Sequence, residues 1–167
     1  MMAAAAPPKG RPPEGGAGAT EVGVDSVEKH LVCTEAELAR SGRRHTVVAG
    51  RSISVIAVGD AIHAIDTKCY HAGGPLAMGD IEDIEGRAAL VCPWHHYHVT
   101  LDTGEKFYQG LDVKMNPCGW RSGGRRQRVH QAVRDNGSVY VLLDTDPVGR
   151  ESDDYAIPGT GFDLAGT

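Results

Sequence analysis

CYHAGGPL at residues 69–76 and CPWH at residues 92–95 decide how this chain is read. Each stretch brings one cysteine and one histidine: Cys69 and His71 from the first and, after twenty intervening residues, Cys92 and His95 from the second. Two loops can thus clamp one centre. A thiolate is a soft anionic donor and imidazole a neutral borderline one, so the set suits zinc or an iron–sulfur cluster and not magnesium or calcium, which take oxygen ligands. The order of the donors separates these two candidates. Zinc fingers group their cysteines in one pair and their histidines in the next. Here each pair mixes the types, as Cys-x-His and Cys-x-x-His, which lets two cysteines hold one iron and two histidines the other.

Outward from these stretches, the segments are short, often β-branched and separated by turn residues. Thr46-Val47-Val48, residues 53–58 (ISVIAV), 61–65 (AIHAI), 88–91 (AALV) and 138–143 (SVYVLL) are predicted strands. Gly59-Asp60 and Asn136-Gly137 sit between paired runs, and Asn-Gly supplies the positive φ values of a two-residue hairpin turn. One helix is expected, from Glu35 to about Ser41, with Thr34 and Glu37 forming a capping box and Gly42 ending it. The expected fold is all-β, built of small antiparallel sheets with one short helix. It occupies residues 27–144 as a single domain, with the donor loops at about 66–109.

The ends read differently. Alanine, glycine and proline make up 15 of the first 25 residues, so residues 1–26 are expected to be a flexible leader. Residues 145–167 return to Gly, Pro and Asp and are expected to form a flexible tail that Tyr155, Ile157 and Phe162 could anchor. No stretch approaches the roughly 20 apolar residues of a membrane span. The leader has one arginine, Arg11, and three acids, Glu14, Glu21 and Asp25, unlike an Arg-rich transit peptide, so the expected location is cytoplasmic. With 17 basic and 22 acidic residues the net charge is −5, which argues against nucleic acid as a partner, since phosphate neutralisation needs a clustered basic face.

The two donor stretches resemble the Rieske iron–sulfur family: four ligand types in order, a glycine pair after the first histidine and a proline after the second cysteine. Within it the chain is similar to the small soluble Rieske domain-containing proteins of eukaryotes, through Thr100-Leu101-Asp102-Thr103-Gly104-Glu105, Tyr108-Gln109, Gly79-Asp80-Ile81-Glu82-Asp83 and the hairpin at 127–140. The resemblance implies the Rieske fold and a [2Fe-2S] cluster, with Cys69 and Cys92 on the buried iron and His71 and His95 on the outer one. It also implies a ferredoxin-like one-electron carrier between a reductase and an acceptor. Gly73 and Gly74, lacking Cβ, are expected to let backbone N–H groups approach the cluster sulfurs. Respiratory and photosynthetic members carry an extra disulfide at positions that are Gly74 and Trp94 here, and hydroxyl donors at positions that are Tyr97 and Val99. Val99 cannot donate, and each lost donor disfavours the reduced, more negative cluster. The potential is therefore expected at the low end of the roughly −150 to +300 mV Rieske range.

Two alternatives stand beside this reading: the small electron-transfer component of a Rieske oxygenase or other oxidoreductase system, and a structural zinc module. A complete oxygenase would need a further two-His-one-carboxylate iron site, and no histidine follows Tyr140. Catalytic residues are therefore not assigned, and the sequence does not fix the oligomeric state. Cys33 and Cys118 are expected as free thiols, and His96 and His98 flank the site without belonging to the family pattern. His30, His45, His63 and His130 read as structural or surface residues. Arg121, Arg125, Arg126, Arg128 and Arg134 form a basic cluster suited to an acidic partner; Asp80, Glu82, Asp83 and Glu85 form an acidic run suited to a basic reductase.

Overall fold

The computed structural model describes residues 28–162; the leader expected at 1–26 lies outside them. Strands β1 (Lys29–Thr34), β2 (Arg43–Val48), β3 (Arg51–Val58), β4 (Ala61–Asp66), β10 (Val129–Asp135) and β11 (Ser138–Leu142) form one antiparallel sheet in the order β1-β11-β10-β4-β3-β2. Strands β5 (Asp80–Ile84), β6 (Arg87–Val91), β7 (His98–Thr100), β8 (Glu105–Leu111) and β9 (Pro117–Arg125) form a second sheet, a meander inserted between β4 and β10. The all-β expectation holds.

Local chemistry explains the connections. Helix α1 (Glu35–Ser41) starts on the expected capping box, the Thr34 side chain accepting from the Glu37 N–H while Glu37 reaches back to the Thr34 N–H, and ends at Gly42 with φ +69°. It buries Leu38 over the first sheet, against Cys33, Val55 and Val139. The β10–β11 turn takes positive φ at Asn136 and Gly137, as the Asn-Gly pair demands. Strand β3 is buried from Ser52 to Ile56. Its alternation sends Ile53 and Val55 to the core under α1, and Ile56 to a second core containing Ile65, Leu76, Leu90, Val99, Cys69 and Cys92. The two candidate thiols are thus part of the hydrophobic interior.

Two expectations need correction. The tail expected to be flexible from residue 145 is packed through 162, with a 3-10 turn at Glu151–Tyr155. Polar contacts hold it, which is why apolar periodicity missed it: Asp153 pairs with Arg51 and Arg128, and the Ser152 hydroxyl donates to Asp66 at 2.6 Å. The same contacts dissolve the basic cluster. Arg128 is buried between Asp144 and Asp153, Arg126 pairs with Glu151, and Arg134 reaches Glu35 and the Asp60 carbonyl, so these side chains do not form one basic face.

Candidate iron–sulfur site

The first loop leaves the end of β4 and the second the end of β6, and both close on the same backbone circuit. In the first, the Cys69 N–H donates to Gly74 O (2.8 Å) and the Gly73 N–H to Cys69 O (2.9 Å). In the second, the Cys92 N–H donates to Tyr97 O (2.9 Å) and the His96 N–H to Cys92 O (2.8 Å). Residues Gly73 and His96, four past each cysteine, are both left-handed, at φ +66° and +54°. His96 is thus the turn residue of its loop. The loops are drawn together where Gly79 presses on the Val91 carbonyl, so closely that a Cβ there would lie 1.9 Å from the oxygen.

Each loop turns its cysteine inward and its histidine outward. Cys69 and Cys92 are each 1% exposed, whereas His71 and His95 lie at the surface. The two thiols lie in the same buried cluster with Leu76, Leu90 and Val99. Hydrogen bonding to Cys92 and burial push the Cys69 thiol up. Hydrogen bonding to Cys69, with the backbone N–H groups of Trp94 and His95, pulls Cys92 down. The imidazoles face each other with Nδ1 3.3 Å from Nδ1 and ring planes at 89°. For metal–imidazole bonds of about 2.0–2.1 Å, two nitrogens on one tetrahedral ion stand about 3.3–3.4 Å apart. Among the described residues no three His, Cys, Asp or Glu side chains converge as ligands of one ion. The donors therefore form a buried sulfur pair and an exposed nitrogen pair, which fits a binuclear cluster better than a single zinc.

The structure gives the glycine pair a packing role. The Gly73 N–H is spent on Cys69 O. What demands glycine is close packing: a Cβ at Gly73 would lie 2.6 Å from Tyr155 Cδ1, and one at Gly74 2.9 Å from the Trp94 indole. Trp94, still 48% exposed, thereby joins the two loops at the positions where respiratory relatives place a disulfide. Tyr97 packs edge-on against His71 with centroids 4.7 Å apart, and Lys106 Nζ lies 4.4 Å from the Tyr97 ring centroid. His98 stands in β7, bonded to Glu82 at 3.2 Å and edge-on against Trp120, outside the donor set.

Sequence reasoning missed Gln127. Fully buried, it accepts from the Tyr70 N–H (2.9 Å) and donates to the carbonyls of Asp66 (3.1 Å) and Lys68 (2.7 Å), fixing the first loop on both sides of Cys69. The stretch at 100–105 explains its placement. Arg87 ties Asp102 and Glu105 into a tight turn, and Gly104, at φ +70°, lies so near the Gln127 backbone that a Cβ would be 2.0 Å from its carbonyl oxygen. The one available signal was that this turn and Gln127 lie in the stretches similar to the family.

Fold and donor arrangement define a protein of the Rieske type, and the comparisons agree. A profile described as soluble Rieske-type ferredoxin matches residues 30–146, and the chain belongs to that family, whose members carry electrons on an iron–sulfur cluster. The human Rieske domain-containing protein is 44% identical over 134 residues, covering 77% of this chain and 85% of that protein. Among solved structures, the ferredoxin of carbazole 1,9a-dioxygenase from Nocardioides aromaticivorans IC177 shares the fold at 22% identity and TM-score 0.50, over 70% of this chain and 98% of its own. NdmA of Pseudomonas putida CBB5, solved with caffeine, does so at 21% identity and TM-score 0.53, over 70% of this chain and 33% of its own. No helix among the described residues is long and apolar enough to cross a membrane.

Proposed function

We propose that the chain carries one electron at a time on a single [2Fe-2S] cluster, held by Cys69 and Cys92 on an inner iron and by His71 and His95 on an outer one. The observation that carries this reading is the division of the donors into a buried thiol pair and an exposed pair of imidazoles facing Nδ1 to Nδ1. When bound, the cluster supplies a reversible one-electron couple. The protein's part is to hold the sulfur end in the core, away from water, and to bring the histidine edge to the surface beside Trp94 as the entry and exit for electrons.

The potential belongs at the low end of the Rieske range. Val99 is buried in the site's core and offers no hydroxyl to a cluster sulfur. The Cys92 sulfur does receive N–H bonds from Trp94 and His95, but the protein supplies them whichever hydroxyls are missing. The partners are a reductase and an acceptor. Asp80, Glu82 and Asp83 on β5, the edge strand beside the loops, and Glu85 in the turn that follows it lie exposed and would steer a basic reductase. A fold neighbour is the ferredoxin of a dioxygenase, which makes an oxygenase the first acceptor class to assay. A cytoplasmic location, argued from the leader's composition, belongs to the same proposal.

Iron, zinc and acid-labile sulfide are to be counted on anaerobically purified protein, followed by a redox titration. Two irons and two sulfides per chain with a midpoint below zero are expected; one zinc without sulfide would overturn the carrier, and a midpoint well above zero would overturn its low potential. Reduction by a basic reductase should slow as salt rises, and a rate insensitive to salt would remove the acidic docking edge.

A further inference from the structure

Residues 147–162 lie beyond the stretch matched by the family profile, yet their second half is built onto the first donor loop. The segment has an anchor and a cover. At the anchor, Asp153 pairs with Arg51 and Arg128, the Ser152 hydroxyl accepts from the Arg128 N–H (2.9 Å) and donates to the fully buried Asp66, and the Ser52 N–H donates to Ala156 O (2.7 Å). At the cover, the Lys68 ammonium donates to the carbonyls of Ile157 (3.0 Å) and Thr160, and the Phe162 N–H donates to Gly73 O (2.8 Å). The Tyr155 ring and Gly161 both close on Gly73: a Cβ at Gly73 would lie 2.6 Å from Tyr155 Cδ1, and one at Gly161 2.6 Å from Gly73 O.

These contacts touch the first loop at the residue before Cys69 and at the left-handed residue two past His71. Lys68, with a four-carbon stem and an ammonium, is 1% exposed. The carbonyls of 157 and 160 both accept from its buried ammonium. The loop closes on Cys69 through the Gly73 N–H, so Gly73 packed against Tyr155 holds the buried Cys69 inward. In the second loop the turn residue, His96, donates its N–H to Cys92 O within the loop, and its side chain is exposed.

We propose that residues 151–162 are a strap that positions Cys69 and His71, and that Tyr155 is its positioning residue: seated, the strap keeps the first loop closed and the metal retained; unseated, the first loop opens while the rest of the fold persists. This rests on the reading that Cys69 and His71 are cluster ligands, and the test separates the two. In the metal-free chain, alkylation of Cys69 by iodoacetamide is followed for the wild type, Tyr155→Ala and Tyr155→Phe, with Cys33, buried in the core under α1, as the control for general loosening. Tyr155→Ala is expected to speed Cys69 alkylation about tenfold with Cys33 unchanged, as local opening does, and Tyr155→Phe, which keeps the ring, is expected to behave as wild type. In the purified holoprotein, Tyr155→Ala is expected to release iron to a chelator about tenfold faster by the same opening. Unchanged Cys69 alkylation, or an equal rise at Cys33, would overturn the strap. A wild type without two irons and two sulfides would overturn the ligand reading instead, and leave the alkylation result standing.

Discussion

In the first donor loop the cysteine N–H reaches the carbonyl five residues on and its own carbonyl accepts from the N–H four residues on; in the second loop the same two bonds recur. The residue four past the cysteine is left-handed in both, yet it is glycine in one and histidine in the other. The surroundings explain the difference. Gly73 lies under Tyr155 and against Gly161, where a side chain has no room, whereas His96 projects into solvent and tolerates the backbone strain. One turn geometry thus serves two purposes: a closed loop held by Gln127 and the C-terminal segment, and an open loop that presents Trp94 and His95 at the surface.

The largest test of this contrast is Gln127→Leu. It strips partners from the Tyr70 N–H and the carbonyls of Asp66 and Lys68, at about 1–3 kcal/mol for each buried group left unsatisfied. Chemical denaturation should show a loss of at least several kcal/mol; a loss below about 1 kcal/mol would mean that Gln127 does not hold the loop. Gly73→Ala comes next. A left-handed alanine costs about 1–2 kcal/mol, before Tyr155 is forced aside, and the same assay should show more than that cost. A smaller loss would show the Tyr155 contact to be loose.

Acid separates the loops more gently. Burial alone would raise the Asp66 carboxyl, but hydrogen bonds from His130, Arg51 and Ser152 outweigh it, and Arg128 first, with Arg51, holds Asp153 far below the usual carboxylate range. Both folded values lie below the unfolded ones, so their stabilisation is complete above the ordinary carboxylate pKa of about 4 and is lost as pH falls through the folded values. The denaturation midpoint should hold from neutral pH to near that value and then fall, and Asp153→Asn should flatten the fall; an equally steep fall in the variant would place the acid sensitivity elsewhere. The smallest effect is at the open loop. His96→Gly relieves a left-handed φ but adds backbone entropy to the unfolded chain, so stability should change by less than about 1 kcal/mol. A large loss there would show that His96 does more than turn the chain.

Legibility in the sequence followed the strength of the physical constraint. The helix at 35–41 and the turns at 59–60 and 136–137 were readable because capping boxes and positive-φ turns restrict residue types. The donors were readable because few side chains bind soft metals in that order. Strand β5, DIEDI, passed as an acidic run because an edge strand buries little, only Ile84 fully; β9, PCGWRSGGR, is exposed along nearly its whole length and is held by its ladder with β8. The Glu85-Gly86 turn was missed because it sets glutamate at φ +53°. The C-terminal segment and Gln127 act through single hydrogen bonds and close glycine contacts, which leave no periodic trace in a sequence.

The central claim is that two imidazoles share the outer, exposed iron of a two-iron cluster. Hyperfine spectroscopy on the dithionite-reduced protein, grown with nitrogen-15 histidine, tests it most directly. A rhombic Rieske-type signal with two strongly coupled histidine nitrogens is expected, one of which disappears in His71→Cys and in His95→Cys if either variant keeps its cluster. A reduced cluster with no coupled histidine nitrogen, or no paramagnetic signal from protein loaded with zinc, would contradict it.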